Sequence, residues 1–268
     1  MTIDKKITIT GWTRTGDYVK LRIHPAPAGT GIIINSIPAL IQYARAQNHT
    51  TTLYRQKTTI HLVEHLLAAC YALRITDLFV QLTPTHKLTF ELPFCDGSSL
   101  LFTRRLLAAT RNSNLTNSTT HKPITSLKSP VAIRTAHRLI LAIPAPCLKI
   151  NCLINYRHTG EQFYSAKITP ARFLKQLAPA RTFGKLKNSR THQLLRLPFR
   201  LKKFGNYLFP ARPRFTFEPC RHKLLDLLGD LALLGKPLHA EIFAYNPSHQ
   251  LNLKFVQELK RRTDDQTN

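Results

Sequence analysis

The sequence predicts an α+β chain in two halves of similar size, and three observations predict it. Strand-like and helix-like segments are mixed through both halves rather than segregated. A polar stretch over 111–121, RNSNLTNSTTH, carries Leu115 as its one apolar residue and divides them. The chain has 268 residues, 43% of them apolar, which suits one large domain or two ordinary ones with real cores. The expected organisation is a first domain over 1–112, a linker over 113–123 and a second domain over 124–268.

Taken in order, residues 7–34 read as strands. ITITGW, YVKLRIHPAP and GTGIIIN alternate or run apolar, with Gly and Pro between them. Residues 60–74, IHLVEHLLAACYALR, have the length and composition of a helix. TDLFVQLTP follows as a strand, LPFCDGSS as a tight Asp-Gly turn, and SLLFTRRLLAAT as an amphipathic helix. In the second half, VAIRTAHRLILAIPAP and LKINCLINYRH read as strands and PARFLKQLA as a short helix. Residues 183–217 are irregular, basic and aromatic. EPCRHKLLDLLGDLALLG, over 218–235, is a helix apolar nearly all round, the pattern of a buried one. AEIFAYNP is a strand and HQLNLKFVQELKRR a final helix.

Composition excludes several classes. No apolar run reaches the ~18–20 residues that span a bilayer, and the start has no apolar stretch before a small-residue cleavage site, so the cytoplasm is the expected compartment. Five cysteines with no C-x-x-C argue against a disulfide framework or a four-cysteine zinc site and read as buried or incidental thiols. The net charge of +25 implies polyanionic company: nucleic acid, an anionic membrane surface or phosphorylated ligands. No C2H2 finger, RRM or KH signature supports nucleic acid as the main partner.

With 14 acids in the chain, a carboxylate beside a histidine in an apolar stretch stands out. His222, Asp226 and Asp230 lie at i, i+4 and i+8. Each step of four drifts only ~40° around a helix, so the three make one narrow stripe on a leucine-rich cylinder. Burying them without partners would cost several kcal/mol. A metal ion compensates them, and so would a solvated or salt-bridged face. Glu64 and His65 are adjacent at the start of an apolar helix and can flank one site. They can equally be a helix-start acid favoured by the macrodipole beside a core histidine. Thr182, in Ala180-Arg181-Thr182-Phe183-Gly184, offers a hydroxyl to a developing oxyanion or is a plain helix exit. His249, in Ser248-His249-Gln250-Leu251-Asn252, stands at the entry to the last helix.

Together and in this order, with the early PAPAGTGI and the CDGSS turn, VEHLLAA, ARTFG, RHKLLDLLGDLALLG and SHQLN resemble the UDP-3-O-acyl-N-acetylglucosamine deacetylases of lipid A synthesis. The resemblance covers nearly the whole chain. It implies two similar two-layer α+β domains, helices packed on a sheet, with the helix layers facing each other across the active site. It implies Zn2+ on His65, His222 and Asp226, Glu64 as general base, and His249 as general acid held by Asp230. Thr182 would help bind the oxyanion. Lys223 and Phe183 would line the sugar site, and Asn206 is the residue kept from a substrate-passage motif whose preceding Gly-Gly-Ser is here Leu201-Lys202-Lys203. Trp12-Thr13-Arg14-Thr15-Gly16 replaces a Leu-His-Ser-Gly turn, and Ser248 replaces a glycine. Asn246 stands where relatives often carry a phosphate-contacting lysine. A zinc amidohydrolase for another acylated sugar, or a basic binding protein built on the same fold, are the competing readings, and stoichiometric metal separates the second from both enzymes.

Overall fold

The computed structural model describes residues 1–85, 88–110, 125–185, 201–204 and 207–264. The expected linker, 113–123, and Asn206 lie outside the described residues.

The first half contains β1 (Ile7–Trp12), β2 (Tyr18–Pro25), β3 (Ile32–Ile34), β4 (Ile37–Pro38), β5 (Ala44–Gln47), β6 (Thr50–Arg55), β7 (Thr58–His61), α1 (Glu64–Ala72), β8 (Leu78–Leu82), β9 (Thr89–Glu91) and α2 (Leu100–Ala108). One sheet runs β1-β2-β8-β3-β4 and a second runs β5-β6-β7-β9. Alternation decides which side faces in: Val19, Leu21 and Ile23 of β2 are buried, while Tyr18, Lys20 and Arg22 are exposed.

The second half contains β10 (Thr125–Ser126), β11 (Val131–Thr135), β12 (Arg138–Pro144), β13 (Lys149–Tyr156), β14 (Gly160–Lys167), β15 (Gly184–Lys185), β16 (Leu201–Phe204), β17 (Tyr207–Pro210), α3 (Glu218–Leu231), β18 (Leu238–Tyr245) and α4 (His249–Asp264). Its main sheet runs β11-β12-β18-β13-β14, with β10 added parallel to β18. Leu238, Ala240, Ile242 and Ala244 of β18 point into the core. The stretch 183–217, read as irregular, contributes a small three-stranded sheet, β15-β17-β16.

The α+β architecture is as expected. α1 of the first half packs against α3 of the second, and α4 packs against α3. One continuous core joins Leu66 and Leu67 of α1 to Leu224, Leu225, Leu227 and Leu228 of α3. The apolar-all-round reading of α3 holds, because it is covered by the sheet on one side and by α1 and α4 on others.

One boundary differs. The helix expected over 60–74 begins at Glu64. Ile60 and His61 end β7, paired with Leu53 and Thr52 of β6 and with Phe90 and Glu91 of β9. Leu62 then takes a left-handed conformation, φ 64°. The apolar residues over 60–63 fill the core from strand and turn, a choice that periodicity over so short a run does not make. The consequence is functional: the Glu64-His65 pair falls on the first turn of α1.

Candidate metal centre and active site

α3 carries its His222–Asp226–Asp230 stripe fully indoors, with side-chain exposures of 2%, 4% and 0%. His222 Nδ1 lies 3.0 Å from the Ala180 carbonyl. A carbonyl only accepts, so Nδ1 carries the proton and Nε2 turns a lone pair toward Asp226 Oδ1, 3.2 Å away. The turn that supplies this carbonyl is itself pinned. Arg181 donates from its backbone N–H and from Nε to Glu218 Oε1, both at 2.9 Å, and Glu218 begins α3.

α1 brings His65 to the same point from the other half. His65 Nε2 is 3.8 Å from Asp226 Oδ1, and the two imidazole rings meet edge to face with centroids 5.1 Å apart. One ligand atom from each of His65, His222 and Asp226 falls within 4.8 Å of the other two. Asp226 Oδ1 and His65 Nδ1 are buried without hydrogen-bond partners. An orphaned carboxylate oxygen facing two imidazole nitrogens is a costly arrangement in a protein interior unless a cation completes it. The donor set fits a divalent ion of zinc's preference, two nitrogens and one oxygen.

The charges suit ligation. Burial depresses the His222 pKa to about 4, Asp226 only partly offsetting it, so the imidazole is neutral and free to coordinate at neutral pH. Burial pushes the Asp226 carboxyl up, but His222 and the Lys223 ammonium outweigh it and hold the group well below its ordinary range. Lys223 Nζ bonds the other carboxylate oxygen, Oδ2, at 2.8 Å, which leaves Oδ1 for the ion.

Two further ionisable groups face the trio. Glu64, 2% exposed, accepts the Thr51 backbone N–H on Oε2 at 3.1 Å, and its Oε1 lies 3.8 Å from His249 Nε2. Burial raises the Glu64 pKa, opposed by His249 and His65. His249 opens α4, so the helix start aims it inward. Its Nδ1 is 2.9 Å from Asp230 Oδ2, which also accepts the Asn252 amide at 2.8 Å. Burial alone would lower the His249 pKa. The Asp230 carboxylate reverses this and carries it to about 9.

Lys223 and Phe183 lie together, Nζ 5.9 Å from the ring centroid, with Phe209 stacked on Phe183 at 5.5 Å. The Thr182 backbone N–H is bonded to the Gly97 carbonyl, and its hydroxyl donates to the Phe183 carbonyl over a long 3.3 Å. Asn246 directly follows β18. It is 8% exposed, left-handed at φ 47°, and its amide oxygen accepts the Asn155 N–H at 2.7 Å. It is a turn residue that stitches the end of β18 to β13.

Three contributors escaped the sequence reading: Thr51, Asn252 and Gly229. The signal for Gly229 was a glycine inside a buried leucine-rich helix, where it costs about 1 kcal/mol relative to alanine. A Cβ there would stand 2.1 Å from the Glu64 carbonyl oxygen and 2.8 Å from its carbon. Only glycine lets α1 press its first turn onto α3. Helix propensity predicts that Gly229→Ala stabilises; the backbone clash predicts a loss of about 1–3 kcal/mol, with weaker metal binding because His65 is moved off His222 and Asp226. The clash should win. Thermal melts and zinc titration check it, and an alanine variant as stable and as tight as the parent would refute the close-approach account.

Comparison with known proteins bears on this geometry. The family model for UDP-3-O-acyl N-acetylglycosamine deacetylase matches residues 1–261. A UDP-3-O-acyl-N-acetylglucosamine deacetylase of Thermosynechococcus vestitus is 33% identical, covering 92% of this chain and 89% of its own length. Proteins of the same name from Chlamydia felis and Thermodesulfovibrio yellowstonii are each 31% identical. The first alignment covers 97% of both chains, the second 96% of this one and 90% of the relative.

Proposed function

Because the chain belongs to the UDP-3-O-acyl N-acetylglycosamine deacetylase family, we propose that His65, His222 and Asp226 hold a zinc ion, and that Glu64 and His249 move the protons of the deacetylation. The chain is a deacetylase that hydrolyses the N-acetyl amide of UDP-3-O-acyl-N-acetylglucosamine, releasing acetate and the free amine, in lipid A biosynthesis. The observation that carries the division of roles is the convergence of His65, His222, Asp226, Glu64 and His249, from both halves, on one buried point.

Zinc on three protein ligands would supply Lewis-acid activation of a water and of the acetamide carbonyl. The rest is done by side chains. Glu64 has one oxygen engaged by the Thr51 N–H, and its other oxygen, Oε1, takes the proton of the attacking water. A carboxylate whose pKa is raised by burial is a better base near neutral pH. Thr182 exchanges its long bond to the Phe183 carbonyl for one to the oxyanion. An amine leaves only when protonated, and His249 delivers that proton from Nε2, because Nδ1 is committed to Asp230. Lys223 and Phe183 line the sugar, and the family resemblance assigns substrate binding to Asn206 as well. No described helix is long and apolar enough to cross a membrane, and the cytoplasm is the proposed compartment. Incubating the zinc-loaded protein with UDP-3-O-acyl-N-acetylglucosamine and following acetate release by mass spectrometry tests the reading. Stoichiometric zinc with no acetate released would overturn it.

Asp230 sets the alkaline side of the rate profile. A general acid must be protonated, and the carboxylate keeps His249 protonated up to about pH 9. Asp230→Asn removes the raising charge while burial still lowers the pKa, so His249 should lose its proton at lower pH. The alkaline limb of kcat against pH is expected to move downward. A limb that stays in place in this variant would assign the tuning of His249 to another group.

A further inference from the structure

Thr51 of β6 is fully buried and touches both proton-transfer groups at once. Its backbone N–H donates to Glu64 Oε2 at 3.1 Å, its hydroxyl donates to Asp230 Oδ1, and the same hydroxyl oxygen lies 3.0 Å from His249 Nδ1. We propose that Thr51 is a positioning residue that holds the Asp230–His249 pair in place against Glu64 across the junction of the two halves.

The hydrogen bookkeeping supports this. A hydroxyl has one proton, and a carboxylate oxygen can only accept it. With that proton on Asp230, the hydroxyl shows a lone pair to His249 Nδ1. Asp230 Oδ2, 2.9 Å away on the same nitrogen, is also an acceptor. Nδ1 therefore carries hydrogen and shares it between two acceptors, which fixes the ring plane as well as the tautomer. Nε2 is left as the nitrogen that exchanges protons, facing Glu64 Oε1 and Asp226 Oδ2 at 3.8 Å each. Asp230 alone would leave its carboxylate free to turn, since Asn252 and His249 both bond Oδ2. Thr51 grips the other oxygen. It also comes from the first half, with Glu64, whereas Asp230, His249 and Asn252 come from the second. The separation between base and acid is thus set through one side chain and one backbone amide of the same residue.

The test compares Thr51→Val, which keeps the shape and loses the hydroxyl, with Thr51→Ser, which keeps the hydroxyl. Both keep the backbone N–H to Glu64. Its kinetic arm rests on the deacetylase reading, so wild-type acetate release is measured in parallel. Thr51→Val leaves Asp230 Oδ1 short of a donor and should melt lower, so rates are compared well below its Tm at matched zinc content. Thr51→Val is expected to lose about 10–100-fold in kcat with KM little changed, and Thr51→Ser to stay near wild type. In 15N-labelled protein the His249 Nδ1 proton should shift and exchange faster with solvent in the valine variant only. A valine variant with wild-type kcat, a serine variant that falls with it, or an unshifted Nδ1 proton overturns the proposal. An inactive wild type would count against the deacetylase reading instead, and the Nδ1 resonance would still decide the role of Thr51.

Discussion

A His222→Ala/Asp226→Ala variant is expected to purify without stoichiometric zinc and to release no measurable acetate. The two residues sit one helical turn apart on α3 and supply two of the three donors in the buried trio. Removing them leaves His65 alone, and one imidazole on the far helix cannot hold a divalent ion against water. The loss extends to stability. On the proposed assignment the ion would draw His65 from the first half and the other two ligands from the second, and so would clamp α1 to α3. A ligand that binds only the folded state stabilises it by about 2.7 kcal/mol at a hundredfold excess over Kd. The wild-type melt should therefore climb as zinc is added, and the double variant's melt should not. The variant also releases Lys223 Nζ from its 2.8 Å bond to Asp226 Oδ2, which costs it some stability independent of metal. For that reason the discriminating readout is the zinc dependence of Tm rather than its value. Metal analysis that finds wild-type zinc in the double variant would sink the ligand assignment.

How much of this site could be read from the chain depended on whether its geometry is local. His222, Asp226 and Asp230 were legible as one stripe because helix periodicity puts i, i+4 and i+8 on one face, but a metal or a salt-bridged face could both satisfy it, and the family resemblance supplied their roles. Glu64 and His65 were legible as an adjacent pair, but the start of their helix was not. Ile60 and His61 look helical in isolation and become strand because β6 and β9 are there to pair with them. Thr51 was invisible for the same reason. Its partners Asp230 and His249 lie 179 and 198 residues away, and no local pattern distinguishes it from Thr50 or Thr52. Asn246 is a second such case, its left-handed turn held by the Asn155 N–H from a strand 91 residues away. The small sheet β15-β17-β16 in a stretch read as irregular is a further case, since its strands are four residues or fewer and gain stability only from one another. What the sequence did carry was the order and spacing of the polar residues on helices. What it withheld were contacts such as those of Thr51 with Asp230 and His249, which depend on the two halves meeting and which no local pattern marks.

Glu64→Gln should separate chemistry from metal binding at two neighbouring positions. Glu64 and His65 are consecutive, yet α1 turns them toward different duties. His65 points Nε2 at Asp226 Oδ1, while Glu64 hangs from the Thr51 N–H with Oε1 toward His249 Nε2. A glutamine has nearly the same shape and can still accept the Thr51 N–H through its amide oxygen, so the local fold is kept. It cannot accept a proton. General-base catalysis is worth about 10²–10⁴-fold, and kcat should fall by that factor with KM and zinc content close to wild type. The burial that raises the Glu64 pKa adds a second signature. In the parent, activity should be lost on the acid side as Glu64 takes up a proton, at a pH above that of an ordinary carboxylic acid. In Glu64→Gln the residual rate should no longer follow that titration. His65→Ala is the contrasting neighbour: it is expected to lose zinc and activity together. If Glu64→Gln keeps full turnover, or loses its metal as completely as His65→Ala, Glu64 is not the base. A variant that is folded, loaded with zinc and slow would place the missing step on the one proton that a glutamine cannot take.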